Sequence, residues 1–175
     1  MKRPNLILTG FMGTGKTTVG RRLARQLEYE FTDTDAVIVA RAGMPVAEIF
    51  ATRGEAGFRR LEADLARELS TREGLVVATG GKLLLDPDNA EALSTSGEIF
   101  CLSADLATIL ARVCADAGPE RPLLAGPDPE TRIAALLKER REAYARFVQV
   151  DTTERSPRAV VEAILAQFNR RSNRH

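Results

Sequence analysis

Residues 5–9 (NLILT) form a short, continuous apolar run that ends in glycines, the pattern of a strand buried on both faces. From Lys16 the spacing changes. Val19, Leu23 and Leu27 fall on one face and Arg21, Arg22 and Arg25 on the other, which predicts an amphipathic helix. The same two patterns then alternate. Further strands are predicted at 31–33, 75–79, 98–102 and 148–151, and further helices at 36–42, 46–53, 58–69, 87–93, 106–113, 130–147 and 156–168. Gly43 and Pro45 separate the helices at 36–42 and 46–53. Phe58, Leu61, Leu65 and Leu69 make the apolar stripe of the helix at 58–69. Ser156 and Pro157 supply an N-cap and a first helical residue for the last helix. Residues 115–128 hold the breaks of AGPERPLLAGP and read as a loop.

Strands alternating with helices predict an α/β fold in three layers, α/β/α, with a five-stranded parallel sheet. At 175 residues the chain suits one domain with a full core. Lys plus Arg number 25 against 24 for Asp plus Glu, so no overall field favours nucleic acid or an anionic membrane. Any cationic site must be local. Two cysteines without metal-type spacing, and a single histidine in a polar tail, argue against a zinc site or histidine catalysis. No apolar run reaches membrane-spanning length and no signal-peptide pattern is visible, so the cytoplasm is the expected location. A monomer is the expected state.

The first glycine loop carries chemistry. GFMGTGKT, residues 10–17, matches G-x-x-x-x-G-K-[ST] between a predicted strand and helix. Such a loop turns backbone N–H groups toward phosphate oxygens at a helix N-terminus. Gly13, Thr14, Gly15, Lys16, Thr17 and Thr18 are therefore candidate nucleotide-binding residues, with Lys16 reaching the β- and γ-phosphates and the Thr17 hydroxyl available to Mg²⁺. A bound nucleoside triphosphate follows; the acceptor does not.

FTDTD places Asp33 and Asp35 at a strand C-terminus, where open α/β sheets collect ligands. They could serve a metal and an acceptor hydroxyl, or Asp35 could simply cap the next helix. Arg59 suits a carboxylate ligand, yet beside Arg60 it equally reads as a solvated pair. Arg121 is a lid arginine or an ordinary loop residue, and Arg140 with Tyr144 fits a ligand contact or a structural i,i+4 pair. Residues 79–82 (TGGK) follow the third strand. They are no second phosphate loop, because Val76 stands where a glycine is required and Leu83 where Ser or Thr is.

Taken together, GFMGTGKTTVGRRLA, FTDTD, IFATRGEAGFRRLE, ATGG, RPLL, ERREAY and SPRAVVEAIL resemble the shikimate kinase family over nearly the whole chain. The resemblance implies the nucleoside-monophosphate-kinase type of P-loop fold, with a substrate-binding subdomain near 33–62 and a lid near 113–125. It implies ATP and Mg²⁺ as the working pair and a small hydroxy acid, shikimate, as substrate. By resemblance Asp33 would help hold Mg²⁺ beside Thr17, and Asp35 would orient or deprotonate the attacking hydroxyl. Arg59 and Arg140 would clamp the carboxylate, Gly80 and Gly81 would bring backbone to the ring, and Phe50 and Phe58 would wall the pocket. Arg121 would close on the phosphates, and Arg112 with Pro157 would sandwich adenine. Two departures stand out: Lys82 replaces the family's usual third glycine, and the stretch 144–152 is about two residues shorter. Lys82 would point to solvent, add a cation beside the substrate, or strain the loop if its φ is positive. An acceptor other than shikimate, or a nucleotide-binding homologue without catalysis, remains open at this point. A nucleoside-monophosphate acceptor does not fit, since Asp35 would repel its phosphate.

Overall fold

The computed structural model describes residues 3–115 and 128–172, with side chains through Arg170. The strands are β1 (Asn5–Gly10), β2 (Glu30–Asp33), β3 (Leu75–Ala78), β4 (Gly97–Ser103) and β5 (Val148–Asp151). They form one parallel sheet in the order β2-β3-β1-β4-β5. The helices among the described residues are α1 (Lys16–Leu27), α2 (Thr34–Ala42), α3 (Val46–Ser70), α4 (Pro87–Ser94), α5 (Leu106–Ala115), α6 (Pro129–Ala145) and α7 (Pro157–Ser172). The α/β class and the five parallel strands expected from the sequence are those observed.

Side-chain alternation on the central strand builds two cores. Leu6 and Leu8 face α1 and α7, where Leu23, Val160 and Ile164 meet them. Ile7 faces the other way, toward Ile38, Ile49, Phe58, Leu65 and Leu84. A third, smaller cluster sets Phe11 of the first glycine loop against Ile109, Val113 and Ile133 of α5 and α6. The buried Asn5 ties the sheet's lower edge together: its amide donates to Arg72 O at 2.8 Å and accepts from Leu75 N at 2.9 Å.

Several element bounds differ from expectation for physical reasons. The helices predicted at 46–53 and 58–69 are both present, joined end to end in α3 across a kink at Gly54 (φ 67°, ψ 176°), with the second beginning just beyond Gly54 rather than at Phe58. Only glycine enters that non-helical region readily, so the helical run breaks there and the chain changes direction. α2 begins at Thr34, two residues early, because the Asp33 carboxylate caps it by accepting from Asp35 N and Ala36 N. A 3-10 turn at Leu83–Leu85 follows β3, with Leu83 and Leu84 fully buried. α6 stops at Ala145, where Arg146 turns back to donate to Leu84 O. α7 keeps its expected start, with Ser156 Oγ accepting from Ala159 N at 3.2 Å. No helix among the described residues is long and apolar enough to cross a membrane. The lid expected near 113–125 lies almost entirely outside the described residues, and Arg121 with it.

Candidate active site

The loops that follow β1, β2, β3 and β5 open into one cleft of about 1030 Å³. In a parallel sheet this is where a ligand site is expected, beside the point at which the strand order reverses around β1. The cleft has a phosphate-loop end and an acceptor end.

At the phosphate-loop end, Gly10, Gly13 and Gly15 take φ of 129°, 76° and 93°, values that L side chains rarely adopt. A Cβ at Gly13 would also come within 2.9 Å of Val113 Cγ2. The loop curls over Lys16, whose ammonium donates to Gly10 O at 2.8 Å and Phe11 O at 2.9 Å. Burial lowers its pKa to about 8, against the pull of the Asp35 charge. Thr14 is buried and folds its hydroxyl onto Phe11 O. Thr17, Thr18, Arg112 and Pro157 line the same cleft. Arg112 is anchored by three hydrogen bonds, to Gly13 O at 3.2 Å and to Thr152 Oγ1 and O at 2.9 and 2.8 Å. Its planar group therefore stands fixed at the end of the cleft where Pro157 begins α7.

Thr17 Oγ1 lies 3.4 Å from Asp33 Oδ2. A hydroxyl and a carboxylate side by side, with no cluster of three His, Cys, Asp or Glu among the described residues, fit an ion that keeps water and phosphate ligands. That is the coordination habit of Mg²⁺ with a nucleotide, and the donor set is compatible with it.

At the acceptor end, Asp33 rather than Asp35 caps α2, so the capping explanation for Asp35 fails. Asp35 is free to face the cleft. Burial raises its pKa, and the neighbouring Asp33 raises it further, against the pull of Lys16 and Arg59. The glycine loop packs directly on it. A Cβ at Gly80 would sit 2.5 Å from Asp35 Oδ1, and Gly80 N donates to the buried Thr34 hydroxyl at 2.9 Å. Gly80 is thus required for close approach rather than for unusual φ.

Arg59 and Arg60 separate: Arg60 is exposed, and Arg59 turns into the cleft. Arg59 is held by an ion pair with the buried Glu62, lies over the Phe58 ring at 5.4 Å, and meets Glu55 at 3.3 Å. Arg140 is buried on α6, with its guanidinium 5.2 Å above the Phe11 ring. Its Nε finds no hydrogen-bond partner among the described residues. Tyr144, one turn on, donates its hydroxyl to Gly81 O at 2.5 Å, and Gly81 leaves room for Arg140 Nη1. Arg140 and Tyr144 therefore divide the alternatives, one lining the cleft and the other pinning the loop.

One expectation is corrected, and the alternatives for Lys82 are narrowed. Phe50 does not line the cleft; it stacks behind Phe58, with ring centroids 4.8 Å apart. Lys82 has φ −108° and ψ −11°, so the loop carries no left-handed strain there. Neither does Lys82 simply trail into solvent, since its ammonium pairs with Glu55 at 3.4 Å. Sequence reasoning missed Glu62, Thr34 and Thr152. Glu62 alone had a signal, its i,i+3 spacing from Arg59; the other two act through tertiary contacts.

A glycine-rich phosphate loop, a hydroxyl–carboxylate pair beside it, and a carboxylate that shares the cleft with two arginines define a P-loop phosphotransferase for a small anionic acceptor. Comparison with known proteins narrows this. The shikimate kinase family model matches residues 12–169. A shikimate kinase of Symbiobacterium thermophilum is 42% identical over 172 residues, 97% of this chain and 99% of that one. One from Geobacter sulfurreducens is 46% identical over 161 residues, 91% and 88% of the two chains. A solved shikimate kinase from Acinetobacter baumannii, in complex with shikimate, superposes with a TM-score of 0.87 at 36% identity, covering 97% of this chain and 94% of that one. The chain belongs to the shikimate kinase family.

Proposed function

We propose that this protein transfers the γ-phosphoryl group of ATP to a hydroxyl of shikimate, giving shikimate 3-phosphate for aromatic amino-acid biosynthesis. The observation that carries the reading is Asp35, freed from capping, packed on Gly80 and placed in one cleft with Lys16, Arg59 and Arg140.

Phosphoryl transfer asks a protein mainly for alignment and for charge to meet the spreading negative charge. The phosphate loop orients the triphosphate through its backbone N–H groups, and Lys16 leaves its two carbonyl partners for the phosphate oxygens. Asp33 and Thr17 would hold Mg²⁺, which when bound neutralises charge on the phosphoryl oxygens. Arg112 and Pro157 flank the base, and Arg121 is assigned to the phosphates as the lid arginine. Arg59 and Arg140 grip the acceptor carboxylate, Phe58 forms the apolar wall, and the backbone of Gly80 and Gly81 sets the ring height. Asp35 then accepts the hydrogen bond of the attacking hydroxyl and takes its proton as the new O–P bond forms. Its raised pKa makes it a better proton acceptor than an ordinary aspartate. The assignment extends to a cytoplasmic monomer organised as one domain, with its substrate-binding part at 33–62.

The test is ADP release measured over shikimate, quinate, gluconate and nucleoside monophosphates. Release with shikimate is expected. Asp35→Asn should lower kcat about 10²–10⁴-fold and leave nucleotide affinity within about twofold. Turnover with another acid but not shikimate, or full activity in that variant, overturns the reading.

A further inference from the structure

Glu55 is held by two cations from separate segments of the chain. Its Oε1 lies 3.3 Å from Arg59 Nη2 and 3.4 Å from Lys82 Nζ. Glu55 and Arg59 belong to α3 just beyond the Gly54 bend, whereas Lys82 belongs to the loop after β3. The pair therefore bridges the glycine loop and the helix that carries Arg59. Lys82 reaches it from a right-handed backbone conformation that any residue adopts, so the bridge needs no strained geometry. Both charges hold the Glu55 carboxylate below the usual range, Arg59 first and Lys82 second.

The chemistry of Arg59 makes this arrangement consequential. One face of its guanidinium is committed to the buried Glu62, which orients it. Glu55 is exposed and is a second carboxylate within reach, so it competes with any carboxylate entering the cleft. We propose that Lys82 is a positioning residue for Arg59: by sharing the Glu55 carboxylate it weakens the hold of Glu55 on Arg59, so that an acceptor carboxylate displaces it more readily. Without Lys82, Glu55 pairs with Arg59 alone and competes more strongly with substrate. The inference rests on the acceptor being a carboxylate-bearing polyol, as proposed above. Its magnitude is bounded because Lys82 and Glu55 are 42% and 60% exposed, and exposed pairs contribute modestly.

A double-mutant cycle on steady-state kinetics tests it. Lys82→Gly should raise the KM for shikimate about three- to fivefold, with kcat and the KM for ATP changed less than about twofold. Lys82→Arg should restore the wild-type value. In a Glu55→Gln background, Lys82→Gly should have no further effect, because the residue acts through Glu55. An unchanged KM in Lys82→Gly overturns the proposal, as does an equal rise with and without Glu55, which would make Lys82 a direct substrate ligand. Melting curves of each variant check that the fold is retained, and Lys82→Ala repeats the measurement should the glycine loosen the loop. A wild-type protein that turns over no carboxylate-bearing acceptor overturns both the functional reading and this one; shikimate turnover without a Lys82 effect overturns this one alone.

Discussion

Gly80 concentrates the site's geometry into one missing methyl group. Asp35 Oδ1 stands 2.5 Å from where its Cβ would lie, with Cγ and Oδ2 at 3.2 Å. The atom in the way is the end of a short side chain, so Gly80→Ala should move Asp35 rather than the backbone. Because in-line transfer is sensitive to misplacement of about an ångström, kcat should fall more than about tenfold while the melting temperature stays within about 2 °C. Gly81 is the natural control. Its Cβ would meet Arg140 Nη1 at 3.3 Å, a contact a long side chain absorbs, so Gly81→Ala should act on the KM for the acceptor instead. Equal kcat in wild type and Gly80→Ala would remove Gly80 from this role.

At the scale of elements, α3 does the most to shape the acceptor end, through its bend. Gly54 sits at φ 67°, ψ 176°, and a Cβ there would meet nothing within 4 Å. Any penalty for a side chain is therefore conformational, about 1–3 kcal/mol. Gly54→Ala should lower the melting temperature by roughly 2–10 °C. It should also raise the acceptor KM, because Glu55, Arg59 and Glu62 all lie beyond the bend; nucleotide affinity should not change. A variant as stable as wild type would mean the bend carries no strain. The bend also marks where the sequence stops being legible. Strands such as β1 and β3 are apolar runs that declare themselves, and the phosphate loop is fully spelled by its own residues. The break between 53 and 58 reads as two helices, but the kink that joins them end to end is not spelled out, because glycine signals permissiveness but not direction. The partners of the site were hidden for a different reason. Thr34 meets Gly80, and Tyr144 meets Gly81, across 46 and 63 residues of chain. No local pattern encodes such pairs. Asp33 and Asp35 show the same limit at short range: two carboxylates two residues apart are interchangeable on paper, and only the backbone angle at the start of α2 decides which one caps it and which one faces the cleft.

For the whole molecule, the cleft joins two charges brought from different parts of the chain, and their titration sets the working pH. Lys16 comes from the phosphate loop and Asp35 from the start of α2, and each lies in the other's field. Asp35 must be ionised to take a proton. Its pKa is raised by burial and by Asp33, so kcat/KM for the acceptor should fall on the acid side, through a pKa above the ordinary aspartate value. Lys16 must be charged to meet phosphate. Burial lowers it from 10.5 to about 8, so kcat/KM for ATP should fall as pH rises through about 8 in the free protein. In kcat the alkaline limb should move upward, because a bound triphosphate favours the charged lysine. Stability runs the other way. Between about 8 and 10.5 the unfolded chain holds the Lys16 proton and the folded chain has released it, so the unfolded state binds more protons. The Lys16 contribution to folding stability therefore increases with pH across that window. Activity lost near pH 8 by a protein whose melting temperature does not drop in parallel would bear out this account of Lys16. A kcat/KM for ATP that stays level to pH 10 would overturn it, because the phosphate loop would then hold its lysine charged without the nucleotide.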